Sequence, residues 1–123
     1  SKTSKTLPIR DIEKTDFLYL ANVGGYIGQS AATEMGFALV NGVPIIVAEE
    51  IRDFSDEIPE TVQELLKKSV FRKLPISEIS SEKIAELNLT NFRPFNLSSD
   101  ETKLLQSLVE KLLNNLKFVK MAI

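Results

Sequence analysis

Two short apolar runs, Phe17 to Ala21 and Val43 to Ala48, are separated by a glycine cluster and one helix-length segment. This spacing constrains the fold more than any other feature of the chain. The first run lies between Asp16 and the turn-forming Asn22-Val23-Gly24-Gly25. Its length and aromatic content favour a buried strand over a helix. Past the glycines, Ser30 is placed as an N-cap, Ala31 to Asn41 as a helix, and Gly42 as its C′ glycine. The second run is apolar almost throughout, which suits a parallel strand covered on both faces. Pro44 is tolerable at its start. The order is a βαβ unit, for which the crossover rule predicts a right-handed connection.

The remainder reads as mainly helical. Residues 49–60 carry six carboxylates and one arginine, an acidic loop. Pro59 is a good first residue for a helix over about 59–70, with Val62, Leu65, Leu66 and Val70 on one face. A short helix at about 81–88 is capped near Ser80 or Ser81, and Phe92 to Leu97 reads as extended, at a sheet edge because of Pro94. Ser98 or Ser99 caps the last helix, with Asp100 and Glu101 in its first turn, where the helix dipole favours acids. Leu104, Leu105, Leu108, Val109, Leu112, Leu113 and Leu116 form its apolar stripe. The tail from Phe118 to Ile123 is apolar enough to need a partner surface. Ile9 to Thr15 reads as a short helix behind a loose polar arm.

Composition narrows the chemistry. The chain has 123 residues, the size of one domain, and a formal net charge of −2. That balance argues against a nucleic-acid partner, which calls for a basic face. There is neither cysteine nor histidine, so thiolate and Ser-His-Asp catalysis are excluded and any acid or base is Asp, Glu, Lys or Tyr. A metal site would need oxygen ligands alone. Asp53-x-x-Asp56 offers two, but such acidic loops are ordinarily just solvated. No cofactor and no metal are expected. No apolar run approaches the roughly 20 residues of a membrane-spanning helix, and no signal peptide is visible. The reading is therefore of a cytoplasmic protein with no membrane partner.

In open parallel α/β sheets, ligands bind beyond the carboxyl ends of the strands. That edge comprises residues 22–30 after the first strand and 49–53 after the second. Gly24, Gly25 and Gly28 let a backbone approach a ligand closely. Asn22 could hydrogen-bond a sugar hydroxyl, and Tyr26 could stack on a base. Gln29 and Ser30 are the polar groups nearest the helix start. Glu34 is placed in the first turn of the helix, with its carboxylate toward the crevice. The plain alternatives stand beside each reading: a turn that needs positive φ for the glycines, turn capping for Asn22, loop packing for Tyr26 and a dipole-favoured carboxylate for Glu34.

Asp16-Phe17-Leu18-Tyr19-Leu20-Ala21-Asn22, Gly25-Tyr26-Ile27-Gly28, Glu34-Met35-Gly36-Phe37-Ala38 and Val43-Pro44-Ile45 together resemble the nucleoside 2-deoxyribosyltransferase family. The likeness covers residues 9–50. It implies an α/β, Rossmann-like (flavodoxin-type) parallel sheet flanked by helices, here lacking the family's N-terminal strands, with a helical C-terminal part. By the resemblance Glu34 matches the nucleophile, and Gly36 and Ala38 match small residues that let the helix pack on the sheet. The carboxylate would attack the anomeric carbon of a 2-deoxyribosyl group, giving a covalent glycosyl-enzyme that a second base or water resolves. A second acid must protonate the leaving base. The family's N-terminal carboxylates have no counterpart here, and Glu49, at the correct strand end, is the candidate, with a solvated loop charge as its alternative. Members of the family are oligomers with shared sites, so a homo-oligomer is expected.

Three functional readings follow. The first is N-glycosidic cleavage or 2-deoxyribosyl transfer on a nucleoside or nucleotide. The second is a non-catalytic, nucleotide-sensing module of the same fold. The third is a phosphoribohydrolase of the "lonely guy" type, whose Pro-Gly-Gly-x-Gly-Thr pattern is not reproduced and whose phosphate would want cations that residues 22–50 do not supply. The acidic stretch at 49–60 mildly favours an uncharged nucleoside. The whole chain is read as one domain, with 9–50 as its βαβ core and 59–123 mainly helical. Two strands are too few for a stable sheet, so further extended segments or another chain should complete it.

Overall fold

A computed structural model describes residues 16–89 and 96–122, with side chains in the last helix described as far as Lys111. The expectations for Ile9 to Thr15, for residues 92–95 and for the side chains of Leu112, Leu113, Leu116 and the tail fall outside this range.

The two apolar runs become β1 (Leu18–Leu20) and β3 (Ile45–Val47), paired in parallel with Leu18 opposite Ile45 and Leu20 opposite Val47. A third strand, β5 (Arg72–Lys73), adds in parallel to β3, giving the order β1-β3-β5. All three residues of β3 are buried, as expected of a central parallel strand covered on both faces. Alternation along the strands places Leu18, Leu20, Ile45 and Val47 on one face and Tyr19 and Ile46 on the other. The Tyr19 hydroxyl donates to the Leu74 carbonyl at 2.6 Å, reaching past β3 to the end of β5. The architecture is a Rossmann-like α/β fold, a parallel sheet flanked by helices.

Helix α1 (Gln29–Val40) connects β1 to β3, and α2 (Glu60–Lys68) connects β3 to β5. Gly28, not Ser30, occupies the N-cap of α1, because the chain enters the helix directly from a short strand and the Gly28 carbonyl already accepts from Ala32 N–H at 2.9 Å. Gly42, with φ of 70°, terminates the helix as expected. Pro59 stands just before α2 as its N-cap, and Val70 lies beyond the helix, 44% exposed, instead of on its apolar face. The short helix α3 (Ser81–Glu86) is capped by the Ser80 side chain, which accepts from Lys83 N–H.

The last helix, α4 (Ser99–Ala122), opens with a capping box: Ser98 Oγ accepts from Glu101 N–H and Glu101 Oε1 accepts from Ser98 N–H. Leu105 and Val109 are buried in the common core, whereas Leu104 points outward and is 45% exposed. Gly36 has its reason here. A Cβ at this position would overlap Val109 Cγ2 and come within 3.7 Å of Leu105 Cδ1. The small residue therefore admits α4, not the sheet as the family resemblance implied. Buried residues of α1, α2 and α4 share one apolar cluster with Leu18, Leu20, Ile45 and Val47. Lys68 on α2 also pairs with Glu101 on α4. No helix among the described residues is long and apolar enough to cross a membrane.

The glycine segment holds a second, smaller sheet. β2 (Tyr26–Ile27) pairs in parallel with β4 (Asp53–Phe54), inside what reads in sequence as an acidic loop. Ile27 and Phe54 are buried, so this pairing is anchored in the core and binds the two loops of the strand edge together.

Candidate functional site

The carboxyl edge of the sheet has two halves of different chemistry. On the β1 side, Asn22 is buried, and its carboxamide spans to the residue that follows β3 and Ala48. Its Nδ2 donates to the Glu49 carbonyl at 2.8 Å and its Oδ1 accepts from Glu49 N–H at 3.0 Å. A side chain that reproduces a backbone pair in this way fixes the separation of two loops. The Glu49 carboxylate turns the other way, and Oε2 accepts from Gly24 N–H at 3.0 Å. Asn22 and Glu49 thus form one clamp, with the Glu49 carboxylate exposed at the rim.

Gly25 completes this clamp from below. Its φ is 76°, and a Cβ there would run into the Glu50 carbonyl oxygen and lie 3.0 Å from Arg52 Cγ. Its carbonyl accepts from Arg52 N–H at 2.9 Å. The close approach that demands glycine at 25 is thus one of chain to chain. Gly24, also at positive φ, faces open space. Tyr26 is half exposed, with its ring edge 3.8 Å from where a Gly28 Cβ would stand. Gln29 and Ser30 form the first two positions of α1, whose free N–H groups face this edge.

Glu34 lies in the second turn of α1, not the first, because the helix starts two residues earlier than the sequence suggests. It is 6% exposed, and the neighbouring residues 32 to 36 are all buried. Gly36 lies two positions further on, about 200° around the helix, so Glu34 faces away from α4. A carboxylate at this depth is uncommon in an ordinary core helix. Among the described residues, no group of three or more Asp or Glu side chains is placed to hold a metal ion, and the Asp53 carboxylate accepts from Phe54 N–H.

The β5 side is different. A cleft of about 470 Å³ opens between the ends of β3 and β5, the loop after β3 and the last turn of α2. Its apolar lining, or floor, is made by Val47, Ile51, Phe54, Leu66 and Phe71. Arg52, Lys67 and Lys73 stand on its walls against one carboxylate, Glu50. The Lys67 ammonium sits 5.7 Å from the centre of the Phe54 ring, within cation–π range. Neither Glu34 nor Glu49 lines this cleft. The cations escape a reading of the sequence because they come from three separate elements, all beyond the segment 22–50 that surrounds the glycine loop. A basic residue at the end of a helix or strand is the signal that points to Lys67 and Lys73.

Burial pushes the Tyr19 phenol up. The hydrogen bond from Lys68, helped by the Ser98 N–H, holds Glu101 below the usual carboxylate range. Compared with known protein families, curated proteins and solved structures, the chain matches none.

Proposed function

We propose that this chain acts on a nucleoside or nucleotide, cleaving its N-glycosidic bond or transferring its 2-deoxyribosyl group through Glu34. The observation that carries the reading is the burial of Glu34 in the helix that leaves the glycine segment at the carboxyl edge of a parallel sheet. Carboxylates are seldom buried to this depth, and ionisable groups in unusual surroundings concentrate at functional sites. In this reaction a Glu34 oxygen attacks the anomeric carbon, and the bond to the base nitrogen breaks with its electron pair leaving on the base. The base takes a proton from Glu49, the acid this reading assigns. A second base, or water, then displaces Glu34 from the anomeric carbon and gives up a proton in turn. The resemblance of residues 9–50 to the deoxyribosyltransferase family supports the same assignment.

A second reading has an observation in its favour. Asn22 and Glu49 are already hydrogen-bonded across the two loops, which suits a module that binds a nucleotide-like ligand and leaves it whole. The experiment that separates the two follows base release and base exchange by chromatography over a panel of nucleosides and nucleotides, with Glu34→Gln alongside. Mass spectrometry of the intact chain looks for a glycosyl adduct. Turnover by the wild type, lost in Glu34→Gln, upholds the glycosyl reading. Calorimetric binding with no turnover and no adduct upholds the module instead.

A further inference from the structure

We infer that the cleft between β5 and α2 is a binding site for a small phosphomonoester carried on a flat apolar group, with a mononucleotide as the best fit. The inference goes beyond the Glu34 chemistry and does not depend on it, since the cleft is built from other residues.

Charge is the first argument. The chain is net acidic, yet three cations, Arg52, Lys67 and Lys73, line one concavity with Glu50 as the only opposing carboxylate on its walls. Among the described residues, the ion pairs are Lys68 with Glu101 and Lys83 with Glu86. Each of those uses a lysine outside the cleft, so none of the three cleft cations has an ion pair among the described residues, and Lys67 meets the face of the Phe54 ring. They come from the loop after β3, the end of α2 and the end of β5. Their convergence is a product of the crossovers and not of a basic run in sequence. An arginine fork with two ammonium groups matches a dianionic phosphate in charge and in donor number.

Shape and polarity are the second argument. About 470 Å³ falls within the range of small-molecule sites, roughly 300–1,000 Å³. It is too confined for a folded partner. The floor of Val47, Ile51, Phe54, Leu66 and Phe71 would be oversized for a bare inorganic anion. The partly exposed Phe71 ring among them suits a flat group such as a base. Val47 and Lys73 are register partners at the ends of β3 and β5, so the site sits at a strand edge, where open α/β sheets hold ligands.

The test is isothermal titration calorimetry at low salt, using the four nucleoside 5′-monophosphates, their parent nucleosides and inorganic phosphate. Arg52→Glu and Lys73→Glu reverse exposed charges without opening the core, and Lys83→Glu is a remote control of the same kind. Expected is binding of at least one monophosphate, with its parent nucleoside about tenfold weaker or worse and each cleft reversal costing about tenfold or more. Lys83→Glu should leave it unchanged. Absence of binding by every monophosphate overturns the inference, as does binding that ignores both cleft reversals. Inorganic phosphate binding as tightly as the monophosphate overturns the part played by the apolar floor.

Discussion

The two halves of the carboxyl edge use their polar groups in opposite ways. On the β1 side, Asn22, Glu49, the Gly24 N–H and the Gly25 carbonyl are engaged with one another and with the loop after β3. On the β5 side, Arg52, Lys67 and Lys73 surround an open cleft and have no ion pair among the described residues. Polar groups that satisfy each other hold a scaffold in place, while charges left facing a cavity are available to a ligand. Substitutions at Asn22 and Gly25 should therefore show up as lost stability. Those on the β5 side should show up as lost binding with the fold intact.

The largest effect that can break this contrast is at Gly25. Gly25→Ala should cost about 3 kcal/mol, the sum of left-handed strain and a forced retreat from the Glu50 carbonyl. Gly24→Ala, with the same sign of φ but open space around it, should cost only about 1 kcal/mol. Urea unfolding of the pair decides. Equal costs would mean that the two loops do not meet as described. Next comes Asn22→Leu, which should cost about 2 kcal/mol by removing both hydrogen bonds to the Glu49 backbone from a buried position. Lys73→Glu, measured in the same way, should stay within about 0.5 kcal/mol. A reversal of that order would erase the distinction between scaffold and site.

The smallest effect is one of pH. Glu101 is held below its ordinary pKa, first by Lys68. Its contribution is therefore complete above the unfolded glutamate value, about 4.3, and is lost as pH falls through the lowered folded value. The pair joins α2 to α4, so hydrogen exchange on acidification should rise there more than in β1. In Glu101→Gln this regional difference should vanish. A uniform rise along the wild-type chain would show that the pair does not secure the β5 side.

The large elements are legible in the sequence because their signals are long. The runs at 17–21 and 43–48 are apolar enough to specify β1 and β3, and Ser98 with Glu101 spells out the start of α4. The short elements are not legible. β2 and β4 have two residues each, and β5 is Arg72-Lys73, a charged pair with no strand character of its own. These exist only because a neighbouring strand offers hydrogen bonds, a tertiary cause that no local pattern records. The family resemblance gives Gly36 the right property and the wrong neighbour, because sequence shows that a helix face is small without showing what fills it. At the site, Glu34 and the loops around it are visible as residues. That Asn22 and Glu49 grip each other, or that residues 52, 67 and 73 meet, depends on the crossovers and is not.

The Tyr19 hydroxyl, which reaches past β3 to Leu74, gives the sheet an optical reporter. The chain has no tryptophan and two tyrosines, so few chromophores compete in the near ultraviolet. Burial raises the Tyr19 pKa. Its stabilising share is therefore intact below the unfolded value, about 10, and fades as pH climbs through the folded one. A phenolate has no proton to give the Leu74 carbonyl. Ionisation of this ring would remove one tie between the first strand and the last, and the tyrosine absorbance change in alkali would report when that tie is lost.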